Sequence, residues 1–360
     1  MRKFLAGGVS AIFLLVLLGV IPVQARPQSE AAGTIPVTTV VTALDSKFTA
    51  PPAVSKDDVN LHEGKVRRDV TNWIPAQGDR AGLQLAIVID DSPQKSFGNQ
   101  LQELSAFITA QPKSTSVGVF YAANGTIQAA SQFNPDSEAV AKTLRMPAGT
   151  YGAASSIYQS LMQLIAGWPV TGTRREVLLF SDGFDYLRKE RFSPDVRSTI
   201  DKAQQAGTLI HAIYESTAGR PGRSRRVSNI GHGNLNRICD GSGGYAFFSG
   251  DRSPISIDPY VNQLGMALKN QYFLTFATNP SKNGGKGELR SIKVTTERRD
   301  VELKARTSVH SRRRKKAGRS SDFQSLTDSH CGQYLGALGL CRSTTSFAFA
   351  RKAESCGHPD

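Results

Sequence analysis

The amino-acid sequence predicts an α/β protein built on a doubly wound, mostly parallel sheet, with a small flanking β unit. Three observations carry that expectation. The run Leu83-Gln84-Leu85-Ala86-Ile87-Val88-Ile89 is almost wholly apolar and stops abruptly at Asp90-Asp91-Ser92, as suits a strand buried on both faces of a parallel sheet. Between residues 83 and 277, short apolar runs alternate with segments of helical period, the pattern of strands joined by crossover helices. Residues 34–80 and 288–306 instead carry β-branched segments without helical period, which reads as a β unit too small to stand alone.

Taken in order, the chain opens with Met1-Arg2-Lys3, a largely apolar stretch to Leu18, and Val23-Gln24-Ala25. That is a signal peptide over residues 1–25, cut after Ala25. An uncleaved membrane anchor is the other reading, since the stretch is nearly long enough to span. Either one places the folded part outside the cytoplasm, secreted or in a periplasmic or envelope compartment. Residues 26–33 are polar. Residues 34–44 read as a strand, and 59–66 as a hairpin about Glu63-Gly64, continued by Val70, Trp73 and Ile74.

After the run at 83–90, residues 99–111 place Leu101, Leu104, Phe107 and Ile108 at helical spacing. Strands at 116–121 and 126–133 face each other across Asn124-Gly125. Helices follow at 138–144 and 155–168, then a buried strand, Val177-Leu178-Leu179-Phe180, ending in Ser181-Asp182-Gly183. Helix 196–205 stops at Ala206-Gly207 before a strand at 209–214. A helix around 235–239, a strand at 245–248, a helix at 259–270 and a strand at 272–277 complete the sheet. A Gly/Lys linker at 283–287 leads to β segments that return to the N-terminal unit. Residues 307–360 are rich in Arg, Ser and Cys without a sustained period, a disordered or disulfide-organised basic tail.

The net charge of +14 is local. Two of these charges lie in residues 1–25, four in Arg220, Arg223, Arg225 and Arg226, and five in the tail, where nine Lys/Arg face four Asp/Glu. About three remain for the body of the fold, which argues against a nucleic-acid-binding face. Cys331 and Cys341 are the nearest candidate disulfide pair, and Cys239 reads as a small buried hydrophobe.

Three oxygen-bearing pieces fall at comparable places: Asp90-Asp91-Ser92 after one strand, Ser155-Ser156 before a helix, and Asp182 after another strand. Ligands of open α/β sheets bind just beyond the carboxyl ends of strands, and hard oxygens with few charges suit Mg²⁺ or Mn²⁺. Strand-to-helix turns with Asp90 or Ser92 as helix caps are the alternative reading.

On these residues the chain resembles the von Willebrand factor A (VWA) domain, a Rossmann-type fold, and within it the secreted bacterial VWFA-related proteins. The resemblance covers 83–277 and extends to the Glu-Gly element at 59–66. It implies a metal-ion-dependent adhesion site of Asp-x-Ser-x-Ser, a Thr and a second Asp. Asp90 and Ser92 match the first motif, Ser155 stands for the Thr with Ser156 as rival, and Asp182 matches the last Asp. Gln94 replaces the second motif Ser and offers a carbonyl oxygen as ligand, with Ser96 as the other substitute after a loop shift. Asp91 and Asp185 read as solvated neighbours.

The function so implied is a protein-binding module that engages an unidentified protein partner. Membrane association is expected only if the leader stays uncleaved. The six histidines show no H-E-x-x-H spacing, and neither a G-x-S-x-G elbow nor a P-loop occurs. A hydrolase would need an acid–base pair near Asp90. A polyanion or envelope-surface binder would use Arg220, Arg223, Arg225 and Arg226 with the basic tail.

Overall fold

A computed structural model describes residues 33–49, 53–91, 95–148, 156–169, 171–188, 193–216, 225–250, 252–280 and 287–311. The leader, the linker at 283–286 and the tail from 312 lie outside the described residues.

The N-terminal strands are β1 (Ile35–Leu44), β2 (Asn60–Glu63), β3 (Val66–Arg68) and β4 (Val70–Pro75). The apolar run forms β5 (Leu83–Asp90), in which every residue is buried. A short 3-10 segment (Lys95–Gln100) then leads into α1 (Leu101–Thr109), which starts at the first of the spaced apolar residues, two positions after the expected boundary. The hairpin β6 (Thr115–Ala123) and β7 (Thr126–Asn134) turns through Asn124 and Gly125, both left-handed at φ 52° and 74°, the backbone a two-residue hairpin needs. Next come α2 (Ser137–Ala141), α3 (Ile157–Gly167), β8 (Arg174–Ser181), α4 (Pro194–Ala206) and β9 (Thr208–Tyr214). Helix α5 (Arg225–Ser242) is far longer than the sequence announces, and precedes β10 (Ala246–Phe247) and α6 (Asp258–Lys269). The chain closes with β11 (Gln271–Thr278), β12 (Glu288–Thr295), β13 (Glu302–Ala305) and β14 (Ser308–Ser311).

Six strands form the central sheet in the order β10-β9-β8-β5-β6-β7, parallel except for the antiparallel β7. Leu85, Ile87 and Ile89 pack with α1, α2 and α6 on one face. Ala86 and Val88 pack with α3, α4 and α5 on the other. The strict alternation along β5 is why it needs apolar residues at both parities.

The flanking unit differs from the expectation in three ways. β11 does not join the central sheet; it pairs antiparallel with β1 and β4. From Leu274 to Thr278 its burial alternates, the signature of a sheet with one apolar face. β4 leaves the β2–β3 hairpin for that same sheet, β13-β1-β11-β4. Finally, Ser308–Ser311, assigned to the tail by composition, is a strand paired with β12, because Val309 and Ser311 bury on alternate positions. The second small sheet runs β14-β12-β2-β3, and the two enclose a core of Val41, Leu61, Leu274, Phe276, Ile292 and Val309.

Polar contacts bind these parts. Glu63 accepts from Thr278 (2.5 Å), Arg68 (2.7 Å) and Arg290 (3.2 Å), joining β2, β3, β11 and β12. Where the central sheet meets β11, Gln271 and His211 both bond Glu176 Oε2, at 3.2 and 2.9 Å, while Arg174 donates to Gln271 and to the Leu268 carbonyl. The Tyr245 N–H donates to His211 Nδ1 (3.1 Å), so the proton of this imidazole sits on Nε2 and points at Glu176. Arg306 donates to the Gln204 carbonyl in the last turn of α4 and to the Thr38 carbonyl of β1, a cation where a helix dipole is negative. Cys239 is fully buried, and burial pushes its thiol well up.

Candidate functional site

The chain runs β5, β6, β7 to one side and then β8, β9, β10 to the other, so the strand order reverses between the adjacent strands β5 and β8. A crevice outside the carboxyl ends of strands at such a switch point is where α/β sheets take ligands. Asp90 ends β5 and Ser181 ends β8, with Asp182 next.

Both carboxylates are buried, 5% and 4% exposed. Ser181 Oγ donates to Asp90 Oδ2 (3.1 Å) and accepts from the Gly183 N–H (3.1 Å). Asp182 accepts from the Phe184 N–H (2.9 Å) on Oδ1 and from the Tyr186 hydroxyl (2.6 Å) on Oδ2. The turn is clamped from two helices. Tyr158 of α3 and Asn234 of α5 both donate to the Gly183 carbonyl, and burial raises the Tyr158 phenol well above its usual range. Gly231 of α5 lies so close that a Cβ there would stand 1.9 Å from the Asp182 carbonyl oxygen; only glycine lets the helix seat against the site.

Two neighbours correct the sequence reading. Asp91 and Asp185 are buried rather than solvated. Asp91 takes a bidentate pair from Arg145 (2.9 and 3.0 Å) and the Ala148 N–H (2.8 Å). Arg145 in turn lies 3.8 Å above the Tyr121 ring, and the Asp91 bonds hold its guanidinium above its usual pKa. Asp185 accepts from the N–H groups of Leu187 and Arg188 and from Ser193 Oγ. Buried acids need such partners, and these two shape the loops around Asp90 and Asp182.

Of the other site residues, Ser92, Gln94, Ser155, Arg220 and Arg223 lie outside the described residues, and so does the side chain of Ser96. Arg225 and Arg226 open α5 and are exposed. Ser156 precedes α3, is 1% exposed, and its hydroxyl has no hydrogen-bond partner among the described residues. A buried hydroxyl left unmet costs about 1–3 kcal/mol. No three His, Cys, Asp or Glu side chains converge on a metal position among the described residues. Two carboxylates and a hydroxyl fit a hydrated Mg²⁺-like cation, which keeps several waters and few protein ligands. Ser181, Tyr158, Asn234, Arg145 and Tyr186 escape the sequence analysis. Ser181 enters it only as the end of a strand.

No family model and no curated protein matches the chain. Among solved structures it is similar to an aerotolerance-related membrane protein from Bacteroides fragilis carrying mutations to serine, with 12% identity, 52% of this chain and 98% of that one covered, and a TM-score of 0.38. It is similar to BatB from Bacteroides thetaiotaomicron at 15% identity, 52% and 99% coverage and TM-score 0.37. The ArnB paralog VWA2 from Sulfolobus acidocaldarius matches at 12% identity, 78% and 76% coverage and TM-score 0.37. The order of the central sheet, its single antiparallel edge strand and its helices on both faces make the central unit a von Willebrand factor A-like α/β fold.

Proposed function

We propose that this VWA-type chain is a non-catalytic protein-binding module acting outside the cytoplasm, secreted or in the envelope. In this reading Asp90, Asp182 and Ser156, with Ser92 and Ser155, hold Mg²⁺ or Mn²⁺ at the carboxyl edge of the central sheet. An acidic group of a protein partner completes the cation's shell. The cation would supply a point of positive charge to a surface otherwise lined with buried acids. The observation that carries the reading is the placement of two buried carboxylates on adjacent strand ends at the switch point. The leader-like segment at 1–25 supports the location, and the absence of catalytic motifs in the sequence supports a binding role.

Calorimetric titration of Mg²⁺ and Mn²⁺ into the protein and into Asp182→Ala tests it. Saturable one-site binding that the substitution abolishes is the expected result. Heat of dilution alone in both proteins would remove the metal-dependent mechanism.

The exposed Arg225 and Arg226 favour a second reading, contact with a polyanion or anionic surface. Binding to heparin that weakens steeply with salt would support it.

A further inference from the structure

Helices α4 and α5 each connect parallel strands, so they run in the same direction along one face of the central sheet. Between them lies a groove of about 510 Å³, closed at one end by Thr307 and Ser308 where the chain enters β14. From Pro194 to Gln204, α4 lines it over a helical rise of about 15 Å. Its floor carries an amide of which one half is used. Gln204 is only 3% exposed, and its Nε2 donates to the Gly241 carbonyl (2.7 Å) and to Thr307 Oγ1 (2.9 Å). Those two acceptors fix the orientation of the amide and turn Oε1 to the groove, where it has no hydrogen-bond partner among the described residues. An amide oxygen only accepts, so a group that meets it must bring an N–H or O–H. The walls are of other chemistry. Arg197 of α4 and Arg237 of α5 both line the groove and are exposed, a cation from each helix. Arg197 also pairs with Asp201 (2.9 Å), a surface contact that contributes little. Asp240, the acid on the lining, is paired with Lys304 (2.9 Å). Pro194, Val196 and Ile200 add an apolar stripe.

We infer that this groove docks an extended peptide segment of a protein partner, with a backbone N–H for Gln204 and acidic side chains for Arg197 and Arg237. A strand rises about 3.3 Å per residue, so about five residues span the groove. Side chains of an extended segment point alternately to opposite sides, which lets apolar and acidic residues take different walls. A neutral sugar would meet Gln204 but leave both cations unmatched. A sulfated polysaccharide would match the cations and offer little to Val196 and Ile200. The groove uses none of the residues assigned to the cation at the carboxyl edge, so peptide binding here needs no metal.

The test is fluorescence anisotropy of a labelled, acetylated pentapeptide alternating valine and glutamate, titrated with the full chain in EDTA. Saturable binding is the expected result. The same peptide with glutamine in place of glutamate should bind about tenfold more weakly, and so should one whose backbone nitrogens are methylated. Neither comparison depends on the folding of a variant. Arg197→Glu, at an exposed position, should weaken the glutamate peptide about tenfold as well. No saturation by the glutamate peptide, equal affinity for the three peptides, or unchanged affinity in Arg197→Glu would each overturn the docking site. Binding that EDTA abolishes would assign the peptide to the carboxyl edge and overturn it too. Heparin that binds where the peptide does not, and that Arg197→Glu weakens, would overturn the peptide in favour of a polyanion.

Discussion

Strand β8 carries buried acids at both ends, and they are handled in opposite ways. Near its start, Glu176 is fully buried and meets His211 of β9 and Gln271 of β11, with Arg174 at 3.9 Å. Just past its end, Asp182 meets a backbone N–H and a phenol from its own turn. The first set joins three strands and two sheets through side chains that have no other place to go. The second is local, and one member sits at the solvent boundary. A buried charge whose partners come from separate strands belongs to the architecture, whereas the partners described for Asp182 belong to the turn it sits in. The same residue chemistry thus joins two sheets at one end of a strand and shapes a single turn at the other.

Substitutions on the two ends should separate them. The largest effect is expected at Glu176→Ala, which takes from His211 and Gln271 their shared acceptor and leaves buried Arg174 without its counter-charge. Breaking a buried charged network costs about 3–5 kcal/mol, measured as a loss of unfolding free energy in urea. A cost near that of a surface substitution would break the comparison. Gly231→Ala comes next. Its Cβ would stand 1.9 Å from the Asp182 carbonyl, and the forced shift of α5 should cost about 1–3 kcal/mol while also weakening Mn²⁺ binding. A stable variant with unchanged affinity would show that the helix seat does not position the site. Asp182→Ala should destabilise by only about 1 kcal/mol, since the donors described for it lie in one turn, while abolishing metal binding. A cost as large as that of Glu176→Ala would make the edge architectural after all.

The smallest effect concerns pH and a third acid. Burial pushes the Glu63 carboxyl up, but hydrogen bonds from Thr278, Arg290 and Arg68 outweigh it and leave it below the ordinary value of 4.5. Its charged form therefore contributes stability that is complete above pH 4.5 and is lost as pH falls through the lowered native value. Urea midpoints measured across the acid range should fall more steeply for wild type than for Glu63→Gln. Identical slopes would show that Glu63 adds nothing to acid sensitivity.

How much of this was legible depends on how local the cause is. β5 and β8 read directly, because a strand covered on both faces needs an unbroken apolar run and stops where the run stops. β11 read as a sheet-completing strand because Tyr272, Phe273, Leu274 and Phe276 look continuous, although only alternate ones face a core. The length of α5 was hidden by Gly231 and Gly233, poor helix formers whose presence at Gly231 is explained by close packing on Asp182. Asp90 and Asp182 stood out as acids at strand ends. The burial of Asp91 did not, since its partner Arg145 lies 54 residues away and nothing in either neighbourhood names the other.

The placement of β1 has a consequence for the order in which the molecule can assemble. The first strand of the fold lies between β11 and β13, that is, between residues 271–278 and 302–305. The central sheet has all its strands once Phe247 has been made. β1 by contrast has no partner strand until residues 271–278 have been made, and such distant pairing is slow to form. During synthesis the N-terminal strand must therefore wait unpaired while the middle of the protein folds ahead of it. Closure of the flanking sheets is a late event that the last strands of the chain control.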